Sequence, residues 1–249
     1  MSLLEVQAVS KRFGSLVAVD EVSMTVAKGE FRAVIGPNGA GKTTFFNLIS
    51  GFLTPSAGRI LFDGDDVTTL LPARRVWRGM ARTFQITEVF PELTTRENLR
   101  IAVEVASGYQ LKPWLSRGAA GKVEARVGEL LEMGGIANRA DRLVGELSHG
   151  DQRSTEIMMA LALNPRLLLL DEPTAGMGDQ ETYDVTQLIH RLHKDQNLTI
   201  VLIEHDMRVV FHLADRIMVL AEGAILAEGT PREIAGNEAV QSAYLGKVA

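Results

Sequence analysis

Residues 36–44, which read GPNGAGKTT, restrict the possible folds more than any other segment of the chain. They match the pattern GxxxxGK[ST], with Gly36 and Gly41 at the fixed glycine positions. The apolar run EFRAVIG precedes them, and GKTTFFNLISGF, which has helical periodicity, overlaps and follows them. Glycines let backbone N–H groups turn inward around a phosphate, and the next helix adds its positive N-terminal end. The segment therefore predicts a strand–loop–helix unit that binds phosphate.

Two side chains of this segment complete the predicted site. Lys42 would supply a point charge to the β- and γ-phosphates, and the hydroxyl of Thr43 would ligate Mg²⁺. The alternative is a glycine-rich turn that happens to precede a lysine. The strand before the loop and the helix after it favour the phosphate site.

A second chemical element is the sequence LLLLDEP, in which Asp171 and Glu172 follow four leucines. A buried strand that ends in a carboxylate can present a Mg²⁺ ligand beside the phosphates. We assign that role to Asp171, through a water molecule, and we assign Glu172 as the general base for the attacking water. The alternative is a pair of acids that cap the next turn. The phosphate loop favours the first interpretation, because each motif supplies what the chemistry of the other lacks.

Strand and helix patterns alternate at both ends of the chain. Segments that are alternating, β-branched or continuously apolar predict strands at LLEVQAV, EVSMTV, EFRAVIG, GRILFDG, MARTFQ, RLLLLDEP, LTIVLIE, DRIMVL and GAILAEG. Helices are predicted at GKTTFFNLISGF, at ARRVWRG, at about 179–194 and 206–213, and in two short C-terminal segments. Runs such as LLLL and TIVLI are typical of strands buried on both faces of a parallel sheet.

The middle of the chain, from about Ile86 to about Met159, has a different character. Strand signals are absent from it, and TTRENLRIAVEVA and KVEARVGELLEMGGI have helical spacing. Residues 108–121, GYQLKPWLSRGAAG, are predicted to be a loop or linker. The sequence therefore predicts an α/β core interrupted by a helical subdomain.

Composition excludes several classes of protein. A length of 249 residues suits one large α/β domain or two small ones, and a net charge of −5 provides no basic field for nucleic acid or anionic lipid. The absence of cysteine excludes disulfides, thiolate metal sites and cysteine nucleophiles. Glu5 interrupts the position of a secretory signal, and no apolar stretch approaches the roughly 18 residues of a membrane span. We expect a cytosolic protein.

The order of five segments resembles the ATP-binding subunit of ABC transporters over essentially the whole chain. These segments are GPNGAGKTT, FQ, LSHGDQR, LLLLDEPTAG and LIEH. The resemblance implies an α/β fold of the ABC ATPase type: a P-loop NTPase (RecA-like) core with an antiparallel β subdomain and an inserted helical subdomain. Residues 1–249 would form a single domain, with the nucleotide-binding core in 1–85 and 160–249 and the helical subdomain in 86–159. ATP and Mg²⁺ are the implied cofactors.

The resemblance also implies a dimer. In this family two ATPase domains pair head to tail and hold two ATP molecules between the phosphate loop of one subunit and the signature loop of the other. LSHGD, residues 147–151, corresponds to that signature loop, and the Ser148 hydroxyl and Gly150 N–H would contact the γ-phosphate across the interface. Without the resemblance, the same stretch is a loop that caps a helix beginning near Gln152. The implied nucleotide-binding residues are Phe13, Gly36, Asn38, Gly39, Gly41, Lys42, Thr43, Thr44, Ser148 and Gly150.

Three residues take roles from the resemblance that their own sequence context would not assign. Gln85 corresponds to the family's loop glutamine, which contacts Mg²⁺ and the attacking water; the alternative is a solvated residue after a strand. His205 corresponds to the switch histidine that reaches the γ-phosphate; the alternative is a helix-start residue, with Asp206 the better cap. Phe13 corresponds to the aromatic that stacks on adenine; the alternative is a buried phenylalanine at a strand end. With these, the catalytic residues are Glu172, His205 and Gln85, and the metal ligands are Thr43, Gln85 and Asp171.

The chain departs from the family pattern at two positions. Asp151 stands where the signature usually has glutamine, so it adds negative charge near a triphosphate, but it favours the helix dipole and we expect Arg153 to pair with it. Gly178 stands where many members have aspartate in the loop that crosses the dimer interface. We expect a competent site in which Asp151 tunes the affinity for ATP, and in which the loss of a carboxylate at Gly178 weakens communication between the two ATP sites but leaves the groups that contact the nucleotide intact.

Segments outside the ATP site resemble the ATPases of branched-chain amino-acid importers. They are ARTFQITEVFPELTTRENL, LIEHDMRVV with the following ADRIMVL, GAILAEGTPREI and the terminal AYLG. The ATPases for urea or short-amide import and for lipopolysaccharide export share parts of this pattern and remain alternatives. The implied partners are a second ABC ATPase subunit, identical or related, transmembrane permeases that contact the region around 86–115, and indirectly a substrate-binding protein. The protein would lie on the inner face of the cell membrane.

Two alternatives come from other functional classes. One is a non-transport ABC ATPase that acts on nucleic acid or ribosomes, and the lack of a long heptad run and of a basic charge counts against it. We therefore expect no nucleic-acid partner. The other alternative is a nucleotide-binding regulatory module with little turnover, which the departures at Asp151 and Gly178 suggest.

Overall fold

The computed structural model describes residues 2–83, 89–109 and 116–245. Its strands are β1 (Ser2–Phe13), β2 (Leu16–Ala27), β3 (Phe31–Ile35), β4 (Ala57–Phe62), β5 (Asp65–Asp66), β6 (Met80–Arg82), β7 (Leu167–Asp171), β8 (Thr199–Ile203), β9 (Arg216–Ala221) and β10 (Ala224–Gly229). Its helices are α1 (Lys42–Ser50), α2 (Pro72–Trp77), α3 (Thr95–Ala106), α4 (Arg117–Gly134), α5 (His149–Ala162), α6 (Asp179–Gln196), α7 (Met207–Leu213), α8 (Pro231–Ala235) and α9 (Glu238–Leu245).

The centre of the molecule is a largely parallel sheet with the strand order β10-β9-β3-β8-β7-β6. β3 pairs in parallel with β8 and β9, and β7 pairs in parallel with β8 and β6. Among the described strands of this sheet, only β10 joins its neighbour, β9, in antiparallel fashion. The carboxyl ends of β3, β7 and β8 consequently lie at one edge of the sheet, which is where the predicted phosphate loop and the Asp171–Glu172 pair begin.

Consecutive residues of the central strands enter two different hydrophobic cores. On β7, Leu168 and Leu170 pack into the core shared with the helices, whereas Leu167 and Leu169 pack into the core shared with the second sheet. All five residues of β7 are buried, as are all five of β8. This arrangement confirms that the runs LLLL and TIVLI are strands covered on both faces.

A second sheet, with the order β2-β1-β4-β5, is antiparallel and covers one face of the central sheet. β1 and β2 are longer than the alternating segments LLEVQAV and EVSMTV predicted. The reason is that register shifts interrupt their pairing near Ala8 and Glu21, both of which have positive φ, so the period-two pattern breaks within each strand.

Helices α3, α4 and α5 pack against one another and form the predicted helical subdomain. Thr94 and Glu97 make a capping box at the start of α3, in which each side chain accepts a hydrogen bond from the backbone N–H of the other. Leu99, Val127 and Ile157, one from each helix, are fully buried in the same core. The parallel core, the antiparallel sheet and this helical layer confirm the predicted fold class.

Two boundaries differ from the predictions. Helix α5 begins at His149 rather than near Gln152, because Ser148 is the N-cap and its hydroxyl oxygen accepts a hydrogen bond from the Asp151 N–H. The predicted linker 108–121 is helical from Arg117 onward, because Ser116 caps α4 in the same way. Within the described part of the chain, no helix is both long enough and apolar enough to cross a membrane.

The two-sided burial of β7 predicts how the chain responds to a cavity. Leu169 is fully buried between the two sheets, so Leu169→Ala should lower the free energy of unfolding by about 2–5 kcal/mol in urea titrations followed by circular dichroism. Leu71 is 71% exposed, and Leu71→Ala should change that free energy by no more than about 0.5 kcal/mol. Equal losses in the two variants would contradict the assignment of Leu169 to the core.

Candidate functional site

The loop between β3 and α1 has a backbone that other residues cannot adopt without displacing their neighbours. Gly36 and Gly41 have φ values of 153° and 94°. A Cβ atom at Gly36 would lie 2.1 Å from the carbonyl oxygen of Leu220, and one at Gly41 would lie 2.3 Å from that of Ala18. The close approach of β2 and β9 therefore requires glycine at both predicted positions.

Lys42 is the first residue of α1 and is buried beneath the loop. Its Nζ donates hydrogen bonds to the carbonyl oxygens of Gly36, at 2.6 Å, and Pro37, at 3.0 Å. Burial lowers the pKa of Lys42, and the nearby carboxylates of Glu172 and Asp171 oppose that shift. A negatively charged ligand in the loop would stabilise the charged form of Lys42 further.

A cavity of about 590 Å³ opens over this loop. It brings together several of the predicted nucleotide-binding residues, namely Asn38, Gly39, Gly41, Lys42, Thr43 and Thr44, with the predicted general base Glu172. The start of β2 and the turn at Glu222 and Gly223 line its remaining wall. Gly36 does not line the cavity and lies at the base of the loop.

Asp171 is buried at the end of β7 and forms an ion pair that the sequence analysis missed. Arg82 Nη2 lies 2.8 Å from Asp171 Oδ2, and Arg82 Nη1 donates to Asn47 Oδ1 and Ser50 Oγ, both at 2.7 Å. Arg82 therefore ties β6 and α1 to the end of β7. The available signal was a charged residue inside the short strand MAR, where a buried arginine needs a partner.

Glu172 and His205 lie next to each other across the ends of β7 and β8. Glu172 has a positive φ of 44°, and its N–H donates a hydrogen bond of 2.9 Å to the Ile203 carbonyl oxygen, which holds the chain in that conformation. His205 Nδ1 lies 3.9 Å from Glu172 Oε2. Asp206 caps α7, as predicted for the helix start, and this leaves His205 outside the helix with its side chain 62% exposed.

The signature loop forms the N-terminus of α5, and its Gly150 N–H has a partner within the chain. This N–H donates to Glu181 Oε1 of α6 at 3.2 Å, a contact that the sequence analysis did not find. The pKa of Glu181 is lowered, first by the Gly150 N–H and to a smaller extent by the Gly178 N–H and the Ser148 hydroxyl. In the single chain, the Glu181 carboxylate thus accepts the hydrogen bond of the Gly150 N–H, the group that was predicted to contact a γ-phosphate.

Ser148 and Gly150 line a second cavity, of about 500 Å³. Among the described residues, this cavity has no lining residue in common with the cavity over the phosphate loop. The two groups of predicted nucleotide-binding residues consequently belong to two separate surfaces of one chain.

The predicted pairing of Asp151 with Arg153 is wrong. Asp151 Oδ2 lies 3.2 Å from Arg139 Nε, whereas the buried Arg153 pairs with Glu156 at 2.6 Å. Residues two apart on a helix point to different sides, while residues three apart share a side. The carboxylate of Asp151 therefore does have a cationic partner, but that partner comes from outside the helix.

The remaining predicted positions are Phe13, Gln85 and Gly178. Phe13 is 47% exposed at the end of β1, so it is not the buried strand-end residue of the alternative interpretation. Lys11 Nζ lies 5.3 Å from the centroid of the Phe13 ring, and Phe13 does not line the cavity over the phosphate loop. Gln85 lies outside the described residues. Gly178 is the N-cap of α6 in an extended conformation, with φ −70° and ψ 166°, and a Cβ there would meet no atom within 4 Å.

The geometry agrees with the comparison to known proteins. The profile of the ABC transporter family matches residues 19–175, which is more than half of the chain. The chain belongs to the ABC transporter family. A second profile, that of the branched-chain amino acid ATP-binding cassette transporter, matches residues 224–249.

Several similar proteins align with almost the whole length of this chain. The ATP-binding protein BraF of Pseudomonas aeruginosa, named for high-affinity branched-chain amino acid transport, is 39% identical over 98% of both chains. LivG of Escherichia coli K12, with the same description, is 40% identical over 98% of both chains. The lipopolysaccharide export ATP-binding protein LptB of Haemophilus influenzae is 34% identical over 99% of this chain and 98% of its own.

A solved structure supports the same assignment. The ADP conformation of an ATP-binding cassette from an ABC transporter superposes with a TM-score of 0.87 at 31% identity, over 99% of this chain and 100% of that one. The protein is therefore an ATP-binding cassette ATPase, and nucleotide is the ligand class of its family.

The contact between Gly41 and Ala18 predicts a variant that loses nucleotide. Gly41→Ala places a Cβ 2.3 Å from the Ala18 carbonyl oxygen at positive φ, so it should distort the loop and weaken binding of a fluorescent ATP analogue by roughly 100-fold. Gly128→Ala is the matched control, because Gly128 lies within α4 with open space at its Cβ position. Normal binding by Gly41→Ala would exclude this loop as the nucleotide site.

Proposed function

We propose that this chain is the ATPase subunit of an importer for branched-chain or other hydrophobic amino acids, positioned on the cytoplasmic side of the membrane by its permease partners. Two observations support this substrate class over lipopolysaccharide export. The full-length relatives named for branched-chain amino acid transport are 39–40% identical, against 34% for LptB. The C-terminal residues 224–249 also match the transporter profile of that class.

The proposed active site is the cavity over the phosphate loop. The observation that carries this proposal is that Lys42 and Glu172 line one cavity at the edge of the sheet, with His205 Nδ1 3.9 Å from Glu172 Oε2. The loop N–H groups and Lys42 bind the phosphates of ATP, and Glu172 takes a proton from the attacking water at its carboxylate. His205 Nδ1 is close enough to Glu172 to orient the same water and to approach the γ-phosphate.

The residues at the cavity also fit Mg²⁺, which prefers oxygen ligands. The Thr43 hydroxyl lines the cavity, and Asp171 lies at the adjacent strand end with Arg82 on one of its two carboxylate oxygens. Thr43 and, through water, Asp171 would hold the ion, together with Gln85 from the segment outside the described residues. When bound, Mg²⁺ would neutralise charge on the β- and γ-phosphates.

We further propose that two chains, identical or related, complete each other's sites head to tail. The separation of the two cavities favours this arrangement, since Ser148 and Gly150 of one chain line a surface apart from its own phosphate loop. In the dimer, a γ-phosphate oxygen replaces Glu181 as the acceptor of the Gly150 N–H. The N-terminus of α5 contributes positive charge to the same phosphate.

Uptake measurements test the transport proposal. Cells that depend on this protein and its permease partners should take up radiolabelled leucine, and urea at the same concentration should not be taken up. Glu172→Gln removes the general base and should lower both leucine uptake and single-turnover ATP hydrolysis by roughly 100- to 10,000-fold.

Glu129→Gln is the matched control, because Glu129 is exposed on α4 and does not line the cavity over the phosphate loop. It should leave both rates unchanged. Urea uptake without leucine uptake would identify the alternative importer class. Wild-type hydrolysis as slow as that of Glu172→Gln would instead favour a regulatory module with little turnover.

Light scattering tests the proposed dimer. With Glu172→Gln to trap ATP, the chain should dimerise when ATP is added, and Ser148→Arg in that background should abolish the dimer, because a bulky side chain fills the anion surface of the signature loop. Binding of ATP to the monomer should stay nearly unchanged. Ser107→Arg adds the same charge at an exposed position at the end of α3 and should still dimerise. A dimer formed by Ser148→Arg would show that this surface does not act across the interface.

A further inference from the structure

Glu204 is a fully buried carboxylate to which the proposed chemistry assigns no role. It follows β8 directly and has 0% exposed surface. Burial of a carboxylate is costly unless hydrogen bonds replace its hydration shell. The hydrogen bonds that Glu204 accepts therefore indicate what the side chain does.

Both oxygens of Glu204 accept hydrogen bonds, and the donors come from two different loops. Oε1 accepts from the Thr174 N–H, at 3.1 Å, and from the Thr174 hydroxyl. Oε2 accepts from the N–H groups of His205, at 2.9 Å, and Asp206, at 3.4 Å. A single carboxylate thus connects the loop that follows Glu172 with the loop that carries His205.

These contacts lie beside both proposed catalytic groups, Glu172 and His205. Thr174 lies two residues after Glu172, and His205 is the residue next to Glu204. The His205 imidazole is mostly exposed, so its position depends on the backbone that carries it. Its Nδ1 lies 3.7 Å from Glu204 Oε2 and 3.9 Å from Glu172 Oε2, between the two carboxylates.

We propose that Glu204 is a positioning residue for ATP hydrolysis, which holds the Glu172 and His205 loops in the register that lets both side chains address one water molecule. This inference rests on the proposed roles of Glu172 and His205. Three of the four donors are backbone N–H groups, which cannot accept a hydrogen bond, so the site requires acceptors on both side-chain oxygens. Glutamine has the length of glutamate but has only one such acceptor, and its amide group would face an N–H.

The test is a comparison of rate and binding in Glu204→Gln. Single-turnover ATP hydrolysis by the full chain should slow by roughly 10- to 100-fold, because small displacements of positioned groups cost that much. The dissociation constant for ATP should stay within about twofold, since the phosphate loop is built from β3 and α1 and makes none of these four contacts.

Glu156→Gln is the matched control for loss of a buried carboxylate. Glu156 is also buried, pairs with Arg153 on α5 and does not line the cavity over the phosphate loop. It should destabilise the fold without changing the rate constant for hydrolysis. A second variant, Thr174→Val, tests the proposal if Glu204→Gln does not fold. It removes only the hydroxyl donor, keeps the other three hydrogen bonds to Glu204, and should slow hydrolysis by roughly three- to tenfold.

Two results would overturn the proposal. The first is an unchanged rate constant in Glu204→Gln, whether or not ATP binding weakens, or in Thr174→Val if only that variant folds. The second is an equal loss of rate in Glu156→Gln. Glu172→Gln, assayed in parallel, separates this proposal from the one on which it rests. If Glu172→Gln hydrolyses ATP at the wild-type rate, the assignment of the active site fails. If Glu172→Gln is inactive and Glu204→Gln is normal, only the positioning role fails.

Discussion

The parallel pairing of β3, β8 and β7 is the constraint on which the rest of the molecule depends. Parallel strands share one direction, so their carboxyl ends meet at one edge of the sheet. At that edge β3 leads into the glycine loop, β7 ends in Asp171, and β8 is followed by Glu204 and His205. Because parallel strands need cover on both faces, alternate leucines of β7 enter two cores, and the antiparallel sheet and the helices become necessary layers.

Buried charges then hold the strand ends in place. Arg82 connects Asp171 to α1 and β6, and Glu204 connects the loop after Glu172 to the loop of His205. Arg82 and Glu204 are both charged groups in a region of low dielectric. A hydrogen-bond network there is rigid when each polar group has a partner, and a polar group without a partner costs folding free energy. The apolar sheet thus provides the edge, and the ionic contacts determine how the functional groups lie along it.

The signature loop depends on a different interaction, the capping of α5. Ser148 starts the helix, and Glu181 accepts the hydrogen bond of the Gly150 N–H in the single chain. The same Glu181 also accepts a hydrogen bond from the Gly178 N–H, in the loop that the family resemblance places at the dimer interface. One carboxylate therefore joins the two segments proposed to face a second subunit.

The sequence alone determined the elements whose information is local: the glycine loop, the strand that ends in Asp171 and Glu172, and the buried β-runs. Each depends on neighbouring residues, and periodicity or motif spacing reveals it. The tertiary structure alone decided the partners of charged side chains. Asp171 pairs with Arg82, far away along the chain, and Asp151 pairs with Arg139 rather than with Arg153. Of the four donors to Glu204, the N–H groups of His205 and Asp206 belong to neighbouring residues, whereas the Thr174 N–H and hydroxyl come from the loop after β7. Such partners depend on which strands are adjacent and which side of a helix faces its neighbour, and these are properties of the packed chain rather than of any short segment.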